Sequence, residues 1–175
     1  MNVATPVVEG DLLFLCSQYE GSSMYRLDED GPEPELLWQL GGPRKKNEGI
    51  NPPITTALLD KGHVYGPELD GAFRCLEAET GATVWESSAV TPPGRWSTVH
   101  IVKNGDRSWI FNEAGELIIA KLSPEGFQEI SRAKLIAPTH KINRRLVCWA
   151  HPAFAGGCVF ARNDRELLCV DLRKE

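Results

Sequence analysis

Apolar residues in this chain come in short runs, among them LLFL, GHVYG, AFRCL and ELIIAKL, each bounded by Gly, Pro, Asn or Asp. Runs of four to seven residues with such boundaries predict β-strands. No window carries an apolar stripe of period 3.6, so the pattern predicts no helix. The order of elements also recurs. A short apolar stretch leads through a turn with Gly into a second apolar stretch, and a second turn with Gly precedes an alternating stretch and a last one. The recurrence can be followed through ATPVVEGDLLFL, ITTALLDKGHVYG, TVHIVKNGDRSWIF and AHPAFAGGCVFA, the openings of four units.

Two sets of landmarks drift together along the four units. The first glycines are Gly10, Gly62, Gly105 and Gly157, at separations of 52, 43 and 52, and the second are Gly21, Gly71 and Gly115, with Arg165 in the fourth place, at 50, 44 and 50. Trp38 and Trp85 close the first two units 47 residues apart, and Ile130 takes that place in the third. Gly62 follows Asp60-Lys61 and Gly105 follows Asn104, which predicts tight hairpin turns at positive φ. Four antiparallel strands in about 45 residues make one blade of a β-propeller. The predicted architecture is all-β: a single propeller region over 1–175, with blades at 1–40, 51–88, 95–132 and 147–175, the last lacking its outer strand.

In the second unit the residues Asp70-Gly71, Leu76-Glu77-Ala78, Thr80-Gly81 and Trp85 resemble the repeat of the pyrroloquinoline-quinone (PQQ)-like propeller family. The resemblance is specific in this unit and covers nearly the whole chain as a skeleton. It implies that the Trp packs between neighbouring blades and that Thr-Gly forms the turn before the outer strand. It also implies a ring of about eight blades; since the fourth unit stops at CVDLRKE after its third strand, this chain is expected to be the C-terminal half, with a closed four-blade ring as the alternative. The family holds quinone-dependent dehydrogenases and non-enzymatic scaffolds such as the outer-membrane assembly lipoprotein, so the resemblance suggests a periplasmic or other extracytoplasmic location. Many of the dehydrogenases carry an adjacent Cys-Cys pair, whereas the five cysteines here, at 16, 75, 148, 158 and 169, are all apart. No calcium-binding carboxylate set of the enzyme type can be placed on the sequence either.

Composition narrows the partners. With 19 Lys plus Arg against 24 Asp plus Glu the chain carries a formal charge of −5, which argues against nucleic acid, since phosphate contacts require a basic face. No stretch approaches the roughly 20 apolar residues of a membrane helix, and the start lacks the basic residues of a signal peptide. Four cysteines, Cys16, Cys75, Cys158 and Cys169, sit in apolar runs and are expected to be buried thiols. Two loops, 39–53 with Arg44-Lys45-Lys46 and APTHKINRRL with Lys141, Arg144 and Arg145, are expected to form a mildly basic rim on one face.

Aligning the units by the residue that opens the innermost strand gives Thr5, Thr56, His100 and His151, each five or six residues before the first glycine. Innermost strands line the channel of a propeller, and Trp96 and Trp149 precede the two histidines, with Arg95 beside Trp96. His100, His151, Trp96, Trp149, Arg95 and Thr56 are therefore the candidate ligand site, able to stack a planar ligand or to donate and carry protons. The competing reading is that the histidines satisfy backbone groups and the tryptophans fill gaps between blades. Two histidines alone make no zinc site, and no metal is predicted. His63 and His140 read as turn and loop residues, and Glu113, Glu116 and the cluster Asp28 to Asp30 as solvated turn residues. No catalytic residue is assigned, because the nucleophile-elbow, zinc-protease and phosphate-loop motifs are all missing.

The sequence thus points to a non-catalytic binding or protein-interaction scaffold without a cofactor. Its expected partner is a protein or the preceding half of the propeller, with a homodimer as another form. The alternatives are a fragment of a quinone-dependent oxidoreductase holding PQQ with calcium at the channel mouth, and a carbohydrate-binding propeller.

Overall fold

The structure is a computed structural model that describes residues 4–28, 31–42 and 49–173. The basic run 44–46, with Glu29 and Asp30 of the acidic cluster, lies outside the described residues. Among the described residues there are 17 strands and no helix.

The first sheet contains β1 (Val7–Glu9), β2 (Leu12–Ser17), β3 (Gly21–Arg26) and β4 (Glu35–Leu40) in that order. The second contains β5 (Leu58–Asp60), β6 (His63–Pro67), β7 (Phe73–Glu77) and β8 (Thr83–Ser87), and the third β9 (Val99–Asn104), β10 (Arg107–Asn112), β11 (Glu116–Ser123) and β12 (Gly126–Lys134). A separate hairpin follows, β13 (His140–Ile142) with β14 (Arg145–Val147), in the stretch expected to be irregular. Asn143, at φ 53°, makes its tight turn, since Asn tolerates the left-handed region. The fourth sheet has three strands, β15 (Ala153–Ala155), β16 (Cys158–Arg162) and β17 (Leu167–Asp171). All pairings are antiparallel between neighbours in sequence.

Register explains why the glycine spacings alternate. The first hairpin turn of each sheet is closed by Glu9 and Leu12, Asp60 and His63, Asn104 and Arg107, Ala155 and Cys158. Gly10 and Gly105 are the first residue of that two-residue turn, while Gly62 and Gly157 are the second, all with positive φ. Counted from the turn, Thr5, Thr56, His100 and His151 are each four residues before the closing residue.

A bulge repeats at one register in the first three sheets, between Met24/Tyr25, Cys75/Leu76 and Ile119/Ala120. The unpaired residue is Leu37, Val84 or Ile130, and the next one faces the third strand: Trp38, Trp85 and Ser131. The third counterpart of the tryptophans is thus Ser131. Ile130, expected in that place, is the bulged residue and is half exposed. A bulge rotates the side chains that follow it, and only the pairing shows where it falls.

Sheets pack through the faces these strands share. Phe14, Met24 and Trp38 of the first lie against Leu59, Val64 and Leu76 of the second, and Tyr65, Phe73 and Cys75 of the second share a core with Val99, Ile110 and Ile118 of the third. Burial of each such side chain contributes about 1.5–3 kcal/mol. The innermost strands β1 and β5, and β5 and β9, lie against one another. Trp38 donates its Nε1 hydrogen to the Ala78 carbonyl at 2.7 Å, and Trp85 donates to the Ser123 carbonyl at 2.8 Å, each in the following sheet. Thr80-Gly81 makes the turn before β8, with Ala82 N donating to Thr80 Oγ1 and Gly81 at φ 72°. The third junction has a smaller core, Phe111, Ile136, Cys148 and Ala161. Of the four cysteines expected to be buried only Cys75 is: Cys16 and Cys158 are half-buried and Cys169 is exposed, because among the described residues no fourth strand covers β17, whereas Cys148 is buried. All five are free thiols.

Candidate functional site

Four equivalent positions, His100 on β9 and Thr5, Thr56 and His151 just before β1, β5 and β15, meet in pairs across junctions. Thr5 donates its backbone N–H to Thr56 Oγ1 at 3.3 Å between the first and second blades. Between the third and fourth, the His100 and His151 rings meet edge to face with centroids 4.5 Å apart. His100 is buried and His151 exposed. His100 Nε2 lies 3.1 Å from the Trp149 carbonyl, and since a carbonyl only accepts, Nε2 carries the proton. Nδ1 is then an acceptor, buried without a protein partner. Burial first, and the neighbouring His151 second, push the His100 pKa down to about 4 against the pull of the Trp149 carbonyl, so the ring is neutral near pH 7. His151 Nδ1 donates to the Pro152 carbonyl at 2.6 Å.

Trp149 connects this pair to a charged centre that the sequence did not reveal. Its Nε1 donates to Glu113 Oε2 at 3.1 Å. Glu113, expected to be a solvated turn residue, is 2% exposed. Arg145 Nε donates to its Oε1 at 2.9 Å and Nη2 to its Oε2 at 3.1 Å, and Thr98 N donates to Oε2 at 3.3 Å. The hairpin β13–β14 brings Arg145 to this carboxylate, so Arg145 is not a free cation of a basic rim. A buried carboxylate needs such partners to offset its lost hydration. Glu116, its neighbour, is half-buried and held below the usual carboxylate range by Asn112 and Arg132, which outweigh its partial burial.

The remaining sequence candidates are elsewhere. Arg95 and Trp96 form their own pair, the guanidinium 4.5 Å from the ring centroid. Their loop is anchored on the second blade: Trp96 N donates to the Leu69 carbonyl at 2.7 Å and Gly94 N to the Asp70 carbonyl at 2.8 Å. Trp96 holds a φ of 65°, sparsely populated for a bulky residue, and its indole N–H is buried without a partner. Thr56 sits at the first junction. The structure brings together His100, His151 and Trp149, places Thr56 against Thr5, and holds the Arg95–Trp96 loop on the second blade with Gly94 lying against the Arg145 guanidinium.

A cleft of about 280 Å³ opens beside Trp149, lined also by Thr139, His140, Cys148, Asn163 and Asp164. The His140 ring lies 6.2 Å from that of Trp149, and His140 Nδ1 is 3.6 Å from Asp164 Oδ2. The donor set does not fit a quinone with calcium. Glu113, the carboxylate linked to His100 through Trp149, is already satisfied by Arg145, Trp149 and Thr98, and the Trp149 indole is committed at its nitrogen. Among the described residues no three His, Cys, Asp or Glu side chains converge on one point.

Neither a protein-family model nor a curated protein sequence matches the chain. Solved structures do resemble it. BamB from Moraxella catarrhalis is similar over 95% of this chain and 41% of its own, with a TM-score of 0.63 at 15% identity. The computationally designed Ika8 protein is similar over 95% and 45%, at 0.59 and 14%. The quinohemoprotein alcohol dehydrogenase from Comamonas testosteroni is similar over 92% and 29%, at 0.54 and 16%. The chain spans less than half the length of each. At these identities the likeness concerns architecture, and with the repeated register it establishes that the chain folds as consecutive blades of a β-propeller.

Proposed function

We propose that the chain is a non-catalytic propeller module that acts as a binding scaffold for a protein partner, outside the cytoplasm. The observation that carries this reading is the outer edge of β17. Among the described residues three blades have four strands and the fourth has three, and Leu167 on β17 is 68% exposed. An open edge presents a row of backbone donors and acceptors that another strand can pair with. The partner we propose is a further set of propeller blades, one strand of which pairs with β17 and completes the fourth blade. The saturation of Glu113 and the commitment of Trp149 support the non-catalytic half of the reading.

A second copy of the chain carries such blades, so self-association is the readout. Light scattering is expected to show dimers at high concentration that Leu167→Lys weakens, because edge charges disfavour strand addition. A monomer at every concentration, with β17 amides as protected from hydrogen exchange as those of β16, overturns it. PQQ titrated with and without calcium is expected to leave tryptophan fluorescence unchanged. Saturable quenching with dye reduction would establish the oxidoreductase alternative instead.

A further inference from the structure

At the first junction, the carboxylate of Glu9, which ends β1, accepts from both amides of the opposite hairpin turn. Lys61 N donates to Oε1 at 2.9 Å and Gly62 N to Oε2 at 3.2 Å. Amides of this kind suit a carboxylate because each bond is assisted by the charge.

The corresponding turn of the fourth blade is Gly156–Gly157, at the same register between β15 and β16. Its φ angles, 60° and 79°, are close to the 51° and 73° of Lys61 and Gly62, so it presents its two amides in the same way. The residue in the place of Glu9, however, is Asn104, the last of β9. Asn104 makes no side-chain hydrogen bond to that turn, and neither glycine amide donates to a protein acceptor among the described residues. At the middle junction the same place is taken by Asp60, which pairs with Lys103, and the opposite turn carries its own carboxylate, Asp106. Only the third of these junctions combines a neutral residue with two open amides.

A cleft of about 320 Å³ lies at that point, lined by Asn104, Gly156, Gly157, Trp109 and Phe154. The last two meet edge to face with ring centroids 4.8 Å apart and form an apolar wall. That volume is at the lower end of the range of small-molecule sites. The charges bordering the cleft are paired: Lys103 with Asp60, and Arg173, which lies against Gly157, with Asp171.

We propose that this cleft binds an organic carboxylate. Its two oxygens take the Gly156 and Gly157 amides as Glu9 takes those of Lys61 and Gly62, and its aromatic or aliphatic body lies on Trp109 and Phe154. The site is independent of the scaffold reading, since it uses neither β17's edge nor the histidine pair. The chain itself supplies the precedent, a carboxylate already seated in the equivalent place two blades earlier.

The test is a titration of the full chain with phenylacetate, followed by amide NMR. Saturable shifts of Gly156 and Gly157 are expected, with phenylacetamide, the neutral isostere, at least about tenfold weaker, the scale of a hydrogen bond to a charged group. Asn104→Glu is expected to supply an internal carboxylate and abolish binding while leaving distant amides unshifted. Acetate against phenylacetate on the unmodified chain measures the contribution of the aromatic wall without relying on that variant. N-acetylphenylalanine separates the two sources of such a group. Tighter binding than phenylacetate assigns the site to a peptide terminus, and weaker binding to a free acid. No saturable shift at the two glycines, or equal shifts by the amide, overturns the proposal.

Discussion

The indole of Trp38 lies directly against Gly81 of the following blade: a β-carbon placed on Gly81 would come within 2.8 Å of Trp38 Cδ2. Gly81 also holds a φ of 72°. The two residues belong to different repeats, so the turn in one blade is shaped to receive the tryptophan of the one before. Trp38→Ala is expected to cost about 3–5 kcal/mol. Gly81→Ala is expected to cost about 1–3 kcal/mol, from the left-handed backbone and the displaced ring together. Urea denaturation measures both, and the two losses should be strongly non-additive in the double variant because they remove one contact. Simple additivity would contradict the packing described.

Two buried groups give opposite pH dependences. Burial raises the Glu68 carboxyl to about 7, with Asp70 adding to the rise and the Leu69 amide, Arg74 and Asn51 opposing it. The folded state therefore binds its proton more tightly than the unfolded one, and this term weakens stability as pH rises from about 4.5 to 7. His100, lowered to about 4, binds its proton more weakly when folded, so its term is lost as pH falls from about 6.5 to 4. Between these limits the two offset each other. Chemical denaturation across this range should give a nearly flat curve for the native sequence. Glu68→Gln should lose stability on acidification and gain on the order of 1–3 kcal/mol at pH 8, and His100→Gln should gain stability on acidification. Parallel curves for all three would show that neither group titrates as its burial demands.

Glu113 and Arg145 join the third blade to the β13–β14 hairpin through two hydrogen bonds. Removing one partner of such a pair leaves the other charge uncompensated, so Arg145→Met is expected to cost about 3–5 kcal/mol. Glu113 also holds Trp149, whose carbonyl holds His100. The variant should therefore shift the His100 ring resonances in NMR, and unchanged resonances would separate the hairpin from the histidine pair.

Ser131 offers a test in the stabilising direction. Leu172 N donates to the Gly157 carbonyl at 2.9 Å as Ala78 N does to Gly62, so the Leu172 carbonyl stands where Trp38 finds its acceptor. Ser131→Trp is expected to bridge the third junction as Trp38 and Trp85 bridge the others. The gain should be about 1 kcal/mol, or a few degrees in Tm. A lower Tm would mean that Trp109 and Phe154 already fill the gap.

Strand type, blade size and repeat number were legible in the sequence because they rest on local chemistry. Alternation decides which face is buried, and glycines at Gly10, Gly62, Gly105 and Gly157 stand where a tight turn needs positive φ. The same reading placed Thr5, Thr56, His100 and His151 at one level, since a count of residues from a turn converts directly into height along a strand. The tertiary structure decided what no count conveys. Ser131 rather than Ile130 follows Trp85 because a bulge shifts the face by one residue, and the pairing of strands, not their composition, locates it. Glu113 is buried because a hairpin written as a polar loop folds over it and delivers Arg145 from 32 residues away. The loop of Arg95 and Trp96 is held by backbone bonds to Leu69 and Asp70 of the preceding blade, a partner that sequence adjacency to His100 does not convey. Local propensity acts over a few residues, whereas the surroundings of a charge or a ring depend on which distant segments fold against it.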